Sequence, residues 1–460
     1  MKKLFLTNPL ILISATLSSC SIPDEPASQS LQAADKVVIP TRFDKQSTRT
    51  DAPRLEVTKG LLSLFSDNEL KRYVKLALKN NPDLKSSLAR LEEAGFNTRV
   101  ARAAKRPSVN ASVTYGRVRS SGINSTERSS TLDAQWEIDV WGRIEAGVQA
   151  AYRDRAALAA DHEAARQSIA AQTMQAYFSL VSSEKLLGLS RRRLVSFEAT
   201  ETLVNRRFEA GTGDLSELSL ARTDVENTRA EIEGRKNVRD QAARQLRLLT
   251  GAYPDARLSA QSYPSRKARV PAGIPSSVMM SRPDINAAYQ RIIAADARVT
   301  VAHRDFYPQF PLTGSTGRRS NTLQGLSSTD FSVSSIVANF AATLVDGGEL
   351  RANLGAANAR AKEALADYHS VVLSAFQEVE NALGSEVYLE NQQAAFAEAL
   401  KAAKQAEEQT QRNFESGLTE VLTLLDAKRR SFSAEESLIN TEAQRFDNRV
   451  SLALSLGKGL

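Results

Sequence analysis

The chain holds a single cysteine, Cys20, so no intramolecular disulfide can staple it. Its three histidines, His162, His303 and His369, sit in helix-like sequence without ligand-spaced partners, which excludes an ordinary zinc site. No Gly-x-Ser-x-Gly elbow, phosphate-binding loop or Gly-x-Gly-x-x-Gly turn occurs. No acid, base and nucleophile recur at a usable spacing, so neither an enzyme nor a cofactor is expected. Aromatic residues make up only 6%, and the net charge of +7 is dispersed among 60 basic and 53 acidic residues. That distribution lacks the basic stripe with stacking residues that a nucleic-acid binder presents. Beyond the N-terminus no run of 18 apolar residues occurs, so a membrane span, if present, must be made of strands.

The N-terminus itself reads as a targeting segment. Lys2 and Lys3 precede a short, mostly apolar stretch from Leu4 to Leu17, too short for a comfortable membrane helix and followed by polar sequence. Residues 1–19 are therefore expected to be a signal peptide, and 20–60, rich in Pro, Ser, Asp and Thr, an extended tether.

What is abundant is internal repetition. Asn81-Pro82-Asp83-Leu84 is echoed by Arg282-Pro283-Asp284-Ile285, Arg106-Pro107 by Tyr307-Pro308, and Gly116 by Gly317. Further on, Phe208-Glu209-Ala210-Gly211 is echoed by Phe414-Glu415-Ser416-Gly417 at an offset larger by a small insertion. Such self-similarity marks two copies of one structural unit. Each reads as a helix, a β-hairpin and two long helices. The first copy spans 61–262, with strands at about 108–119 and 130–140 and long helices at about 142–210 and 214–250. A Pro-rich linker at 263–275 leads to the second copy, 276–460, with strands at about 309–319 and 331–344 and helices at about 348–415 and 418–455.

The strands alternate with period two. Val109, Ala111, Val113 and Tyr115 interleave with Ser108, Asn110, Ser112 and Thr114; Leu132, Ala134, Trp136, Ile138 and Val140 interleave with Thr131, Asp133, Gln135, Glu137 and Asp139. One face suits lipid and the other water, and a polar lumen would satisfy the three acids. The second hairpin alternates more weakly through Phe310, Leu312 and Gly314, then Phe331 and Val333. A soluble hairpin lying on helices is the competing reading. Four strands cannot close a membrane barrel, and open edges in lipid cost several kcal/mol per unpaired group. A barrel must therefore be shared between chains, eight strands from two or twelve from three.

In the helices, Leu365, Tyr368, Val372, Ala375, Val379 and Ala382 step by 3 and 4, as do Leu218, Ala221 and Val225, continuing to Ile232; Leu425, Phe432 and Ile439 step by 7. These are heptad seams for antiparallel helix pairs.

Leu17-Ser18-Ser19-Cys20 resembles the lipobox of bacterial lipoproteins, which makes Cys20 the lipid-attachment residue; an ordinary secretory signal is the alternative. With the tandem repeat, the paired strands, the glycine-tipped helices and Trp136-Glu137-Ile138-Asp139-Val140-Trp141-Gly142-Arg143, the chain resembles the TolC/OprM family of outer-membrane efflux factors, in its lipoprotein (NodT-type) branch. The resemblance implies a mostly α fold with a membrane β-barrel part: a homotrimer with a twelve-stranded barrel continued by a periplasmic α-helical barrel. It implies a periplasmic adaptor, an inner-membrane pump of the resistance-nodulation-division type and outer-membrane lipid as partners, and no nucleic acid. Small molecules such as drugs would leave through it; a protein-secretion duct or a lipid-anchored periplasmic coiled coil are the rival readings.

By the same resemblance, Leu422 forms an apolar constriction at the periplasmic gate. Asp426 forms a carboxylate ring, and Arg429 pairs with a neighbouring acid to hold the closed state. Glu217 falls where relatives place that acid. Thr423 stands where some members carry a second aspartate, so one acidic ring is expected. Gly211, Gly213, Gly417 and Leu418 at the tips contact the adaptor. The competing reading of Asp426 is an exposed i,i+4 pair with Arg430.

Overall fold

The computed structural model describes residues 29–34, 60, 65–120, 123–260, 262–264, 281–327 and 332–457. The signal peptide, Cys20, most of the expected tether, Phe331 and the part of the linker beyond 264 lie outside them. Within the tether region Gln29–Ala34 form one short helix, α1, so this stretch is not extended throughout. Its Gln, Leu and Ala residues are strong helix formers, and Ala34 is buried.

The remaining helices are α2 (Asn68–Asn80), α3 (Pro82–Ala103), α4 (Arg143–Glu209), α5 (Leu215–Leu249), α6 (Pro283–Arg304), α7 (Glu349–Glu415) and α8 (Val421–Ser455). The two copies match helix for helix: α3 and α6 have 22 residues each, α4 and α7 have 67, α5 and α8 have 35. The offset between copies grows from 201 at α3/α6 to 206 at α4/α7, so the small insertion lies in the second hairpin and its exit. The chain divides into two compact units, one centred on Ala89–Ala159 and Ala287–Ser370, the other on Ala160–Asn286 and Val371–Leu460.

The first unit contains the sheet. Strands β1 (Ser108–Ser120), β2 (Ile123–Glu137), β3 (Pro311–Ser320) and β4 (Ser332–Ala338) run antiparallel in the order β1-β2-β3-β4. The two hairpins are thus joined through β2 and β3, with Ala134 opposite Gly314 and Thr131 opposite Gly317. Gly317 is needed there, because a Cβ would lie 2.2 Å from the Ser130 carbonyl oxygen. Strand β4 ends at Ala338, well short of the expected 344. Pro311 opposes Asn339 and has no N–H to return its bond; pairing resumes only as the isolated bridge Gln309–Ala341.

The second unit carries the larger core. Phe65, Tyr177, Phe178 and Phe446 are almost fully buried, with the Phe178 and Phe446 rings 5.0 Å apart. Burying each such side chain contributes roughly 1.5–3 kcal/mol. The heptad positions Leu218, Ala221, Val225, Val372, Ala375 and Val379 are buried, whereas Phe432 and Ile439 are only half-buried. Tyr263, placed in the expected linker, instead stacks on Phe446 at 4.5 Å and under the Lys185 ammonium, because a large ring is better buried than solvated.

The two proline motifs close their own copies. Asn81 Oδ1 accepts from the N–H groups of Asp83 and Leu84, capping α3, while its Nδ2 donates to the Leu249 carbonyl at the end of α5. Arg282 Nη1 donates to the Ser455 carbonyl at the end of α8, the equivalent position.

Candidate functional sites in the sheet and at the helical tips

On the sheet, directly opposed residues share a face. One face runs through Val109, Ala134, Gly314 and Ile336 and through Ala111 and Leu132. Val113, Tyr115 and Ile336 on this face are 82%, 66% and 84% exposed. The other face runs through Asn110, Asp133, Ser315 and Ser335. Asp133 Oδ2 accepts from Thr131 Oγ1 at 2.9 Å. Of the three acids expected in a polar lumen, only Asp133 is held this way. Glu137 pairs with Arg143 at 2.8 Å, and Asp139 accepts from the N–H groups of Ile144 and Glu145, capping α4. Val333, expected on the apolar face, lies opposite Gly317 on the polar one, because β4 does not keep a clean alternation. Asp305, beside Arg143 at 3.6 Å, has its carboxyl pushed up by burial, aided by the Glu137 charge and opposed by Arg143.

At the periplasmic-type ends of the strands the aromatic residues gather. Trp141 stacks on Tyr307 at 5.0 Å and its indole N–H donates to the Pro308 carbonyl at 2.7 Å; Phe310 meets Phe340 at 5.2 Å. Such a girdle marks a membrane–water boundary.

At the tips, α4 and α7 end alike. Gly211 and Gly417 adopt φ of 72° and 73°, the left-handed region that glycine enters without Cβ strain. Thr212 N–H donates to the Arg207 carbonyl and Gly211 N–H to Phe208; Leu418 N–H donates to Asn413 and Gly417 N–H to Phe414. These are paired helix-ending turns that satisfy the last free carbonyls. Beneath them Phe197, Val204, Leu218, Val225, Phe414, Val421, Leu424 and Leu425 form one apolar cluster. Gly211, Gly213, Gly417, Leu418 and Glu217 come together around an open pocket of about 530 Å³, with Arg207.

Of the residues expected at the gate, Leu422, Asp426 and Arg429 lie on one flank of α8 and Glu217 lies in the first turn of α5. Leu422 is half exposed, and Asp426 pairs with Arg430 at 2.7 Å as the exposed i,i+4 bridge, worth only tenths of a kcal/mol. Arg429 does not meet Glu217 within the chain. Its Nη2 and Nε donate to Asp224 Oδ2 at 2.8 and 3.3 Å, and the Asp224 side chain is only 12% exposed. Helix rise explains the correction. Glu217 stands two residues into α5 but Arg429 eight into α8, a mismatch of about 9 Å, whereas Asp224 is at matching depth. Comparing depth from the two tips would have pointed to Asp224. Sequence reasoning also passed over Lys428, which is buried; its ammonium donates to Ser196 Oγ at 2.9 Å. Burial pushes it below the usual lysine range, opposed by Glu407 and Glu415.

An edge-open amphipathic sheet on alanine-rich helices ending in paired glycine tips defines an outer-membrane channel component. The chain belongs to the outer membrane efflux protein family, whose model matches residues 73–252 and 274–458. It is 31% identical to outer membrane protein OprJ of Pseudomonas aeruginosa across 98% of this chain and 95% of that one. It is 26% identical to the cation efflux system protein CusC of Escherichia coli K12, over 87% of this chain and 89% of that one. The solved outer-membrane channel OprN superposes with a TM-score of 0.85 at 26% identity, covering 96% of this chain and 99% of that one. The protein is an outer-membrane efflux component that extends into the periplasm.

Proposed function

We propose that three copies of this chain close a passive, non-enzymatic exit duct for small molecules such as drugs, expelled by an inner-membrane pump of the resistance-nodulation-division type through a periplasmic adaptor. The open four-stranded sheet carries this reading. Its lipid-like face carries the exposed Val109, Val113, Tyr115, Leu132 and Ile336, and its edge strands, β1 and β4, have no further partner among the described residues. In lipid such edges must be paired, and only more copies of the chain supply matching strands. Eight strands enclose an interior that side chains fill, so two copies leave no duct; twelve strands from three copies do.

Cys20 is the expected lipid anchor, and Gly211, Gly213, Gly417 and Leu418 the adaptor surface. The gate consists of Leu422 and Asp426 near the axis, with Glu217 at the tip pocket and Arg429 tied to Asp224. Opening is a shift of the tip helices once the Arg429–Asp224 contact between α5 and α8 is broken. The test is planar-bilayer conductance of the purified channel beside its Asp224→Ala/Arg429→Ala variant. Small, cation-preferring steps that grow severalfold in the variant are expected, since the lost charge-assisted bonds hold roughly 1.5–3 kcal/mol. Unchanged steps would remove the gate assignment, and no steps from either protein would remove the duct.

A further inference from the structure

Where α3 turns into β1 and α4 begins, Arg102, Lys105, Arg106, Glu145, Gln149 and Tyr152 line an open pocket of about 450 Å³. Lys105 is paired with Glu145, and Gln149 Nε2 donates to the same carboxylate at 2.9 Å. That leaves Arg102 and Arg106 as a surplus of two cations, whose guanidinium groups make no ion pair among the described residues. Nothing in the gate or the tip turns uses them.

The position of the pocket names its occupant. Trp136 Nε1 donates to the Lys105 carbonyl at 3.1 Å, and Trp136 lies two residues before Ile138, whose N–H donates to the Phe310 carbonyl, so the pocket is at the girdle end of the sheet. The next strand residue inward with an apolar side chain, Val109, is 65% exposed on the lipid-like face. Aromatic girdles sit at headgroup depth, so a group entering this pocket comes from the headgroup layer. Guanidinium forks match the oxygens of a phosphate bidentately. The Tyr152 ring, partly exposed at the pocket wall, offers an apolar surface beside them.

We propose that this pocket binds the phosphodiester of an anionic phospholipid from the periplasm-facing leaflet, held by Arg102 and Arg106. One bound lipid per chain pins the depth of the sheet at its lower rim.

The test uses the full-length channel, in the assembly it forms in detergent, titrated with phosphatidylglycerol or with phosphatidylcholine and read by native mass spectrometry. The wild type should retain phosphatidylglycerol about tenfold more strongly than phosphatidylcholine, and Arg102→Gln/Arg106→Gln should abolish that preference. Arg102→Lys/Arg106→Lys, which keeps the charge without the fork, should keep part of it. Equal retention of both lipids by the wild type, or an undiminished preference in the Gln variant, overturns the proposal. Inorganic phosphate that displaces the lipid at equal concentration assigns the site to the free anion and overturns the lipid source. A Gln variant that falls apart into single chains while the Lys variant stays assembled shows a contact between copies instead.

Discussion

The long helices α4 and α7 have the same length and the same place in their copies, yet the middle of α4 is covered on more sides than the middle of α7. Val181 in α4 is 0% exposed, while its counterpart Val387 in α7 is 42% exposed. Gln167 and Ser182 are buried where Leu373 and Tyr388 stand exposed. The difference is not propensity, since both stretches are helical throughout. It comes from what packs on them: α2, α5, α8 and the segment reaching Tyr263 build an apolar core on the middle of α4, whereas α8 meets the matching stretch of α7 through polar contacts of Arg445, Asn448 and Arg449. A duplicated unit can thus keep its backbone while one copy builds a core and the other keeps an exposed apolar face.

The largest expected effect breaks this comparison directly. Val181→Asp buries an unpaired charge in the aromatic core and should cost more than about 4 kcal/mol, enough to abolish folding. Val387→Asp should leave the helical circular dichroism signal of the chain intact but reduce assembly, seen as a shift from trimer to single chain in light scattering. A Val387→Asp protein that assembles like wild type would show that the bare face of α7 is not where copies meet.

A pH effect of intermediate size separates α5 from α8. Gln241 in α5 is neutral and exposed, but its counterpart in α8 is Asp447, whose Oδ1 finds no hydrogen-bond donor among the described residues. Burial pushes the Asp447 carboxyl up to about 6. Between about pH 4 and 6 the folded chain holds a proton that the unfolded chain has released, so stability falls as pH rises through that window and stays reduced above it. Asp447→Asn should therefore raise the thermal midpoint at pH 7.5, with a ceiling of about 3 kcal/mol, and the gain should fade toward pH 4. A gain of the same size at both pH values would place the effect in packing rather than in the charge.

The fold was legible because the repeat, the period-two strands and the heptad seams each report on local physics that the sequence carries residue by residue. The family motifs located the tips for the same reason: Gly211 and Gly417 mark left-handed backbone that other residues avoid. What was not legible depends on three-dimensional depth. Arg429 finds Asp224 because two helices of different copies run at matched height, and the spacing of either helix alone does not reveal this. Likewise Glu137 and Asp139 look like lumen acids by alternation, but they lie at the exit of β2, where Arg143 and the first turn of α4 claim them. Pro311 shortened the sheet from the partner strand, a constraint invisible within β4 itself.

The smallest effect sharpens the comparison at the two tips. Asp214 caps α5, accepting from the Ser216 N–H at 3.2 Å, and these bonds from the backbone and the Ser216 hydroxyl hold its carboxyl below the usual aspartate range. The equivalent Glu420 has an extended backbone suited to a cap, yet its side chain makes no capping bond to α8. One additional methylene places the carboxylate too far out to fold back onto the second and third amides of the helix. Glu420→Asp should supply that bond and about 0.5–1 kcal/mol of local stability. Because the tip is exposed, the gain belongs to the first turn of α8, and amide hydrogen exchange at Leu422 to Leu424 should slow by roughly two- to fivefold while α5 exchanges as before. If those amides exchange unchanged, the missing cap is not what distinguishes the second tip. The asymmetry would then rest on the charges of the Arg429–Asp224 contact, which would make the first turn of α8 a passive lever for that contact.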